Sequence, residues 1–332
     1  MDKIIGIIGL GSMGKRRLRL LQNNFSGITL VGVDTNQDRC KKVESEFGIE
    51  CVCSLMEAYS KNHMDIAFVC TSPLTHAEII RQCLNLNIHV FTEINLVPTL
   101  YDENIRLSKE KGLTLFLSST FLYRKETSYI IEKANNYGGK MQYCYQVGQY
   151  LPNWHPWEKY QDYFVGKRQT NACREILAID LPWLIKAFGK VLKISVVSSK
   201  LSNLDIDYND SYIVTLNHEN GTQGVFIIDV LASNPIRDFK VVGEDFQIEW
   251  KGNPDEFYEY NIIENTMKHI KTYEKIDKLE GYAEFIIEDE YLDEIKAFFI
   301  EMNNNEESRY SFEQDKYVLE IVEEIECLGR AK

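Results

Sequence analysis

The first third of the chain alternates between two hydrophobic rhythms. Short, almost wholly apolar runs stand at Ile4–Ile8, Thr29–Val33, Ile66–Cys70, His89–Thr92 and Thr114–Ser118. Between them, at Lys15–Asn23, Asn36–Phe47, His76–Leu86 and Leu100–Lys111, apolar residues recur at helical spacing. Continuous apolar runs joined by helices predict a parallel sheet covered on both faces, with right-handed crossovers. From about Phe121 the rhythm changes. A helix at Lys125–Asn136 leads into a strand at Met141–Leu151, and a second helix covers Arg174–Phe188. Alternating strands follow at Lys193–Ser198, Tyr212–Asn217, Val225–Ala232, Arg237–Val242 and Phe246–Trp250, with a turn signal at His218-Glu219-Asn220-Gly221. The stretches Glu288–Met302 and Phe312–Leu328 are amphipathic helices. The expectation is an α/β domain over residues 1–120 and an α+β domain over 121–332. The second would carry a mostly antiparallel open sheet, and the C-terminal helix would pack back on the first.

The turn after the first strand carries chemistry. Gly9-Leu10-Gly11-Ser12-Met13-Gly14 leaves an apolar strand and opens a helix, and Asp34 closes the next strand twenty residues after Gly14. This is the dinucleotide-binding fingerprint of a Rossmann domain. Gly9 permits the tight turn, Gly11 lets a pyrophosphate approach, and Gly14 allows close helix–strand packing. The helix start, with Ser12 and Met13, points amides and a positive dipole end at phosphate. Asp34 suits the two ribose hydroxyls of NAD and repels the 2′-phosphate of NADP; no cation follows it before Arg39. NAD is therefore the expected cofactor, with NADP the lesser alternative. Lys15-Arg16-Arg17, on the first helical turns, reads as a solvated face.

Composition narrows the class. The 332 residues are 44% apolar and 26% charged, enough for two domains with cores of their own. A net charge of −13 argues against nucleic acid or an anionic membrane as partner. The eight cysteines show no metal-ligand spacing, and their scatter suits a reducing compartment. Asp205, Asp207 and Asp210 have no histidine near them and read as a polar loop, so no metal is expected. No stretch reaches the length of a membrane span, and the short N-terminal apolar run lacks the flanks of a signal peptide. A cytoplasmic protein is expected.

Two further motifs point to a family. Thr71-Ser72-Pro73-Leu74-Thr75-His76 follows the third predicted strand, and Phe91-Thr92-Glu93-Ile94-Asn95 closes the fourth. With Gly9–Gly14, they make the chain resemble the glucose–fructose oxidoreductase/inositol dehydrogenase (Gfo/Idh/MocA) family over nearly its whole length. The resemblance implies an NAD(P)-linked enzyme acting on a sugar, polyol or nucleotide-sugar that sits over the open sheet. It implies a homodimer or homotetramer. It places Thr71, Ser72, Pro73 and His76 near the cofactor, and Glu93 on its nicotinamide side as the first residue of a Glu-Lys-Pro motif. Ile94 and Asn95 stand where that motif has lysine and proline. The family's Asp-x-x-x-His pair corresponds to Glu175 and Ile179, so both usual proton-handling groups are replaced.

Substitutes are sought in the second domain. Tyr150-Leu151-Pro152-Asn153-Trp154-His155-Pro156-Trp157-Glu158-Lys159-Tyr160 leaves that domain's first strand. Trp154, Trp157 and Tyr160 offer flat faces to a sugar or base, and His155 offers an imidazole for acid–base work. The same residues can instead anchor a long loop. Arg174 can bind an anionic group and Glu175 can orient a hydroxyl; alternatively they form an exposed first-turn ion pair. The resemblance places Arg124 toward substrate. The leading expectation is a dehydrogenase in which His155 takes the hydroxyl proton while Glu175 and Arg174 hold the substrate. A redox-neutral lyase or glycosidase that retains NAD, and a catalytically silent NAD- or sugar-binding protein, remain open beside it.

Overall fold

A computed structural model describes residues 3–155, 158–274, 286–304 and 306–330. Trp157, expected at the substrate, lies outside the described residues. The chain forms two compact units. One comprises residues 1–119 and 291–316, the other residues 120–290 and 317–332.

The first unit is built on a six-stranded parallel sheet. Its strands are β1 (Lys3–Ile8), β2 (Ile28–Val33), β3 (Glu50–Val52), β4 (Ile66–Val69), β5 (His89–Thr92) and β6 (Leu115–Leu117). Their order is β3-β2-β1-β4-β5-β6, with parallel pairing throughout. Helices α1 (Ser12–Asn24), α2 (Gln37–Phe47), α3 (Leu55–Asn62), α4 (Pro73–Asn85) and α5 (Tyr101–Lys111) make the connections. Residues of β4 are buried throughout, as strands covered on both faces require. The order reverses between β1 and β4, and ligands of such sheets bind in the crevice outside the strand ends at that point.

Two elements of this unit escape the periodicity reading. β3 is only three residues long, and α3 only eight. A local signal for α3 does exist: Ser54 Oγ accepts from Glu57 N at 3.2 Å, and Glu57 Oε2 accepts from Cys53 N at 3.3 Å. The unit also recruits sequence-distant residues. Phe298 packs edge-on against Phe68, Phe91 and Phe116, with centroids at 5.6 to 5.9 Å.

The second unit carries helix α6 (Lys125–Asn136), strand β7 (Gln142–Gly148) and helix α7 (Ala172–Phe188). Strands β8 (Val191–Ser199), β9 (Ser211–His218), β10 (Gln223–Asp229), β11 (Ile236–Val242), β12 (Gln247–Trp250), β13 (Phe257–Asn261) and β14 (Thr266–His269) follow. The sheet order is β14-β13-β12-β11-β7-β10-β9-β8; only β7 and β10 pair in parallel. The last two strands were not read from the sequence, because Phe257–Asn261 and Thr266–His269 lack clean alternation: only Phe257 among them is buried. In β9 and β11 alternate residues point inward, and α7 covers that inner face. Trp183 of α7 packs edge-on against Phe239 at 5.1 Å, and Phe188 stacks on Tyr143 at 4.7 Å. Helices α8 (Glu288–Asn304) and α9 (Phe312–Arg330) close the described chain. Among the described residues no helix is long and apolar enough to cross a membrane.

Candidate functional site

The glycine turn sits at the reversal point of the parallel sheet and is shaped by what a side chain would meet. Gly9 adopts φ +93°, and a Cβ there would lie 2.7 Å from Cys70 O and 2.8 Å from Thr71 N. A Cβ on Gly14 would meet Gly9 O at 1.9 Å, so only glycine lets α1 approach the strand end this closely. Gly11 is the opposite case, with nothing within 4 Å of its absent Cβ. That open space suits a pyrophosphate. Lys15 N bonds back to Gly11 O at 3.0 Å, and the turn before it, with Ser12 and Met13, presents the helix N-terminus.

Asp34 ties this turn to the end of β2. Its Oδ2 accepts from Leu10 N at 2.8 Å and from Arg39 Nη1 at 2.9 Å, while Oδ1 accepts from Asn36 N at 2.9 Å. The carboxylate is buried but Arg39 is half exposed, so the negative charge stands at the rim of the crevice with a cation on its solvent side.

The segment after β4 is equally organised. Pro73 occupies the first turn of α4, where its missing N–H costs nothing, and Ser72 is the N-cap. Thr71 and Thr75 share a hydroxyl contact of 2.8 Å. The buried His76 ring spans Thr71 O at 2.9 Å and the Asn95 side chain at 2.8 Å. Burial lowers the His76 pKa, so the ring is neutral. Asn95 Oδ1 faces Nδ1 and Thr71 O faces Nε2, so the ring bridges the two segments. Asn95 is thereby tied through His76 to the Thr71 loop.

The cluster Lys15-Arg16-Arg17 is not a solvated face. Arg16 and Arg17 are both buried. Arg17 donates Nε to Glu93 Oε1 at 2.6 Å and Nη2 to Glu294 Oε2 at 2.7 Å, and its guanidinium lies 4.6 Å from the Phe91 ring centre. Glu294 also accepts from Ser119 N at 2.7 Å and Ser118 Oγ at 3.0 Å. Burial pushes the Glu294 carboxyl up against the opposing pull of Arg17. Burial penalises charge on Arg17, and the two carboxylates more than offset it. Glu93 is thus held in place by a cation on α1. Helical spacing could not show this, because the partners lie 76 and 277 positions from Arg17.

In the second unit the expected residues separate into three surroundings. Arg124, expected toward substrate, is instead fully enclosed: its guanidinium pairs with Glu126 at 3.2 Å and Glu290 at 3.9 Å, donates to Gly252 O at 2.8 Å, and lies 4.9 Å from the Trp250 ring centre. Arg174, expected to share a substrate with Glu175, is buried and faces α9, within 3.6 Å of Glu323 and 3.7 Å of Glu326. Successive helical residues point about 100° apart, so the two do not meet on one face.

Glu175 has the third surrounding. It is half-buried, its Oε2 is fully buried with no hydrogen-bond partner among the described residues, and burial raises its pKa to about 7. The Tyr163 hydroxyl is also buried and has no hydrogen-bond partner among the described residues, and its pKa is raised by burial and by the charge of Glu175. His155 stacks on the Tyr163 ring at 4.6 Å and 19°, with Nδ1 2.8 Å from Glu158 Oε1. Trp154 Nε1 donates to Gln149 O at 3.0 Å, and Tyr160 Oη accepts from Asp205 N at 3.1 Å. Both aromatic side chains therefore help to pin the loop. Tyr163 was missed in the sequence because it stands alone, eight residues beyond His155 and without a motif.

Residues 3–118 match the profile described as "Oxidoreductase family, NAD-binding Rossmann fold". A myo-inositol 2-dehydrogenase of Thermotoga maritima is 25% identical over 330 residues, 95% of this chain and 92% of that protein. Among solved structures, an oxidoreductase from Agrobacterium radiobacter bound to NAD+, L-tartaric acid and magnesium superposes with a TM-score of 0.82. It is 12% identical and covers 100% of this chain and 97% of its own. UDP-N-acetylglucosamine 3-dehydrogenase from Acidithiobacillus ferrooxidans gives 0.79 at 14% identity, with coverages of 100% and 99%. At these identities the superpositions establish the two-part fold.

Proposed function

We propose that the chain, whose residues 3–118 match the NAD-binding Rossmann fold of an oxidoreductase family, is an NAD-dependent dehydrogenase of the Gfo/Idh/MocA kind acting on a sugar, polyol or nucleotide-sugar hydroxyl. The observation that carries this reading is the glycine turn at the sheet's reversal point, with Asp34 beside it. Gly9, Gly11 and Gly14, with Ser12 and Met13, would hold the pyrophosphate, and Asp34 the adenosine ribose. Thr71, Ser72, Pro73 and His76 would line the crevice, and Glu93 would stand toward the nicotinamide. NAD, when bound, supplies the hydride acceptor.

The rest of the chemistry belongs to the chain. Glu175 has a carboxyl poised near neutral pH, where a general base works best, and receives the hydroxyl proton. His155, fixed by Glu158 and stacked on Tyr163, borders the same place. Such groups stand in for the lysine and histidine whose positions Ile94 and Ile179 occupy. Asp34 selects NAD over NADP, since a 2′-phosphate would face its carboxylate and Arg39 is already paired to it. A polyol or sugar substrate follows from the myo-inositol 2-dehydrogenase relative, a homo-oligomer from the exposed sheet face, and a reducing, cytoplasmic setting from eight free cysteines.

Calorimetric titration with NAD and NADP is expected to show NAD binding at least about tenfold tighter. Asp34→Asn, which keeps an oxygen acceptor for Leu10 N, should narrow that ratio. Equal affinities in the wild type would refute the assignment of Asp34. Incubation with NAD and a polyol panel should give reduced nicotinamide and a carbonyl product; product without reduced nicotinamide would instead indicate the redox-neutral chemistry.

A further inference from the structure

We propose that Tyr163 and Glu175 form a hydroxyl-binding pair, in which Tyr163 Oη donates to the substrate oxygen and Glu175 Oε2 takes its proton. This deepens the dehydrogenase reading and rests on it for the identity of the reaction. Buried polar atoms are nearly always hydrogen-bonded, and an unsatisfied one is costly. Tyr163 Oη and Glu175 Oε2 belong to the buried polar atoms that have no hydrogen-bond partner among the described residues. After burial, the charge of Glu175 is the next cause that raises the Tyr163 pKa.

The contrast with neighbouring phenols is informative. Tyr143 contacts His218 at 3.0 Å, Tyr145 donates to Asp180 at 2.7 Å, and Tyr208 donates to Val165 O at 2.7 Å. These three buried phenols of the same unit are thus paired, whereas Tyr163 Oη has no hydrogen-bond partner among the described residues.

The two open atoms are complementary in kind. Tyr163 stays protonated at any working pH and is a donor, while Glu175 becomes a pure acceptor as it ionises near neutrality. A ligand satisfying both must accept one hydrogen bond and donate another through the same oxygen, which an alcohol does. The stack of His155 on the Tyr163 ring, with His155 held by Glu158, restricts the phenol's orientation. In the balanced reaction bound NAD would supply the acceptor for the hydride that the carbinol carbon loses, while the carbinol oxygen loses its proton to Glu175. A carbonyl forms, and Glu175 later releases the proton to solvent.

The test uses the full chain, saturated with NADH, titrated with myo-inositol, glucose and UDP-N-acetylglucosamine, alongside turnover with NAD+. Tyr163→Phe removes only an unpartnered hydroxyl, so it should melt at or above the wild-type temperature and bind NADH unchanged. Its affinity for whichever probe the wild type binds should fall about tenfold, as expected for one lost hydrogen bond to a buried group. Glu175→Gln should remove the acidic limb of the kcat–pH profile, and Tyr163→Phe should lower kcat while keeping that limb. Binding of the wild-type probe by Tyr163→Phe within threefold overturns the pair, whatever the activity. Lost affinity in Tyr163→Phe together with a wild type that reduces no nicotinamide keeps the pair as a hydroxyl site and overturns the dehydrogenase reading. Failure of all three probes to bind the wild type overturns the pair.

Discussion

At the residue scale, the site's chemistry is the cost of a buried carboxylate. Glu175 has its pKa raised from 4.5 to about 7 by burial. A raised carboxyl pKa means that the folded state holds a proton which the unfolded chain releases. The Glu175 contribution to stability is therefore most favourable below pH 4.5 and is lost as pH rises through 7. At 1.36 kcal/mol for each pKa unit, the total is about 3 kcal/mol. Glu175→Gln removes this dependence. Unfolding in urea should show the variant no more stable than wild type at pH 4, and more stable by up to about 3 kcal/mol at pH 8. Equal stability at both values would mean that the carboxyl is not desolvated as the structure has it. A residue that destabilises its own fold at working pH is the pattern expected of a functional group.

At the element scale, Arg17 links three segments that are remote in sequence. It sits on α1, Glu93 closes β5, and Glu294 belongs to α8. Replacing Arg17 by Met would leave two carboxylates facing one another in the interior, an arrangement that costs about 3–5 kcal/mol when one partner of a buried pair is removed. The loss should ease on acidification, as the carboxyls regain protons. Chemical denaturation of Arg17→Met at pH 5 and pH 8 checks this, with the larger deficit expected at pH 8. The same remoteness explains why the lysine–arginine cluster looked like a solvated face: a helical wheel shows spacing along α1 but not what lies across from it. At the start of α9, Asp315 shows a related dependence. It accepts from Tyr101 and Tyr310 at 2.5 and 2.7 Å, yet burial still raises its pKa to about 6.

At the scale of the whole molecule, the outer face of the second sheet is the largest unexplained feature. Val197 of β8 and Ile213 of β9 are register partners and are 54% and 45% exposed. Ile213 is in turn opposite Ile227 of β10, so apolar side chains from three strands adjoin on the outer face. A contiguous apolar patch of this kind commonly marks an interface. Light scattering of the purified protein is expected to give a dimer or tetramer, and Ile213→Glu should shift it toward the monomer without lowering the melting temperature of the isolated fold. A wild type that stays monomeric at millimolar concentration would refute that expectation.

The sequence by itself determined the features whose cause is local. Strand and helix rhythm announced a parallel sheet followed by a mostly antiparallel one, and the spacing of Gly9, Gly11, Gly14 and Asp34 announced a dinucleotide turn, because backbone conformation and helix-end geometry are set by neighbours a few residues apart. Short elements such as β3 and the weakly alternating β13 and β14 escaped that reading, since few residues carry their pattern. The tertiary structure alone decided which charges are buried and which polar atoms lack partners. Arg17 and Arg124 are enclosed, Arg174 turns to α9, and Tyr163 comes under the charge of Glu175, because electrostatic and hydrogen-bond partners are chosen by distance in space rather than along the chain.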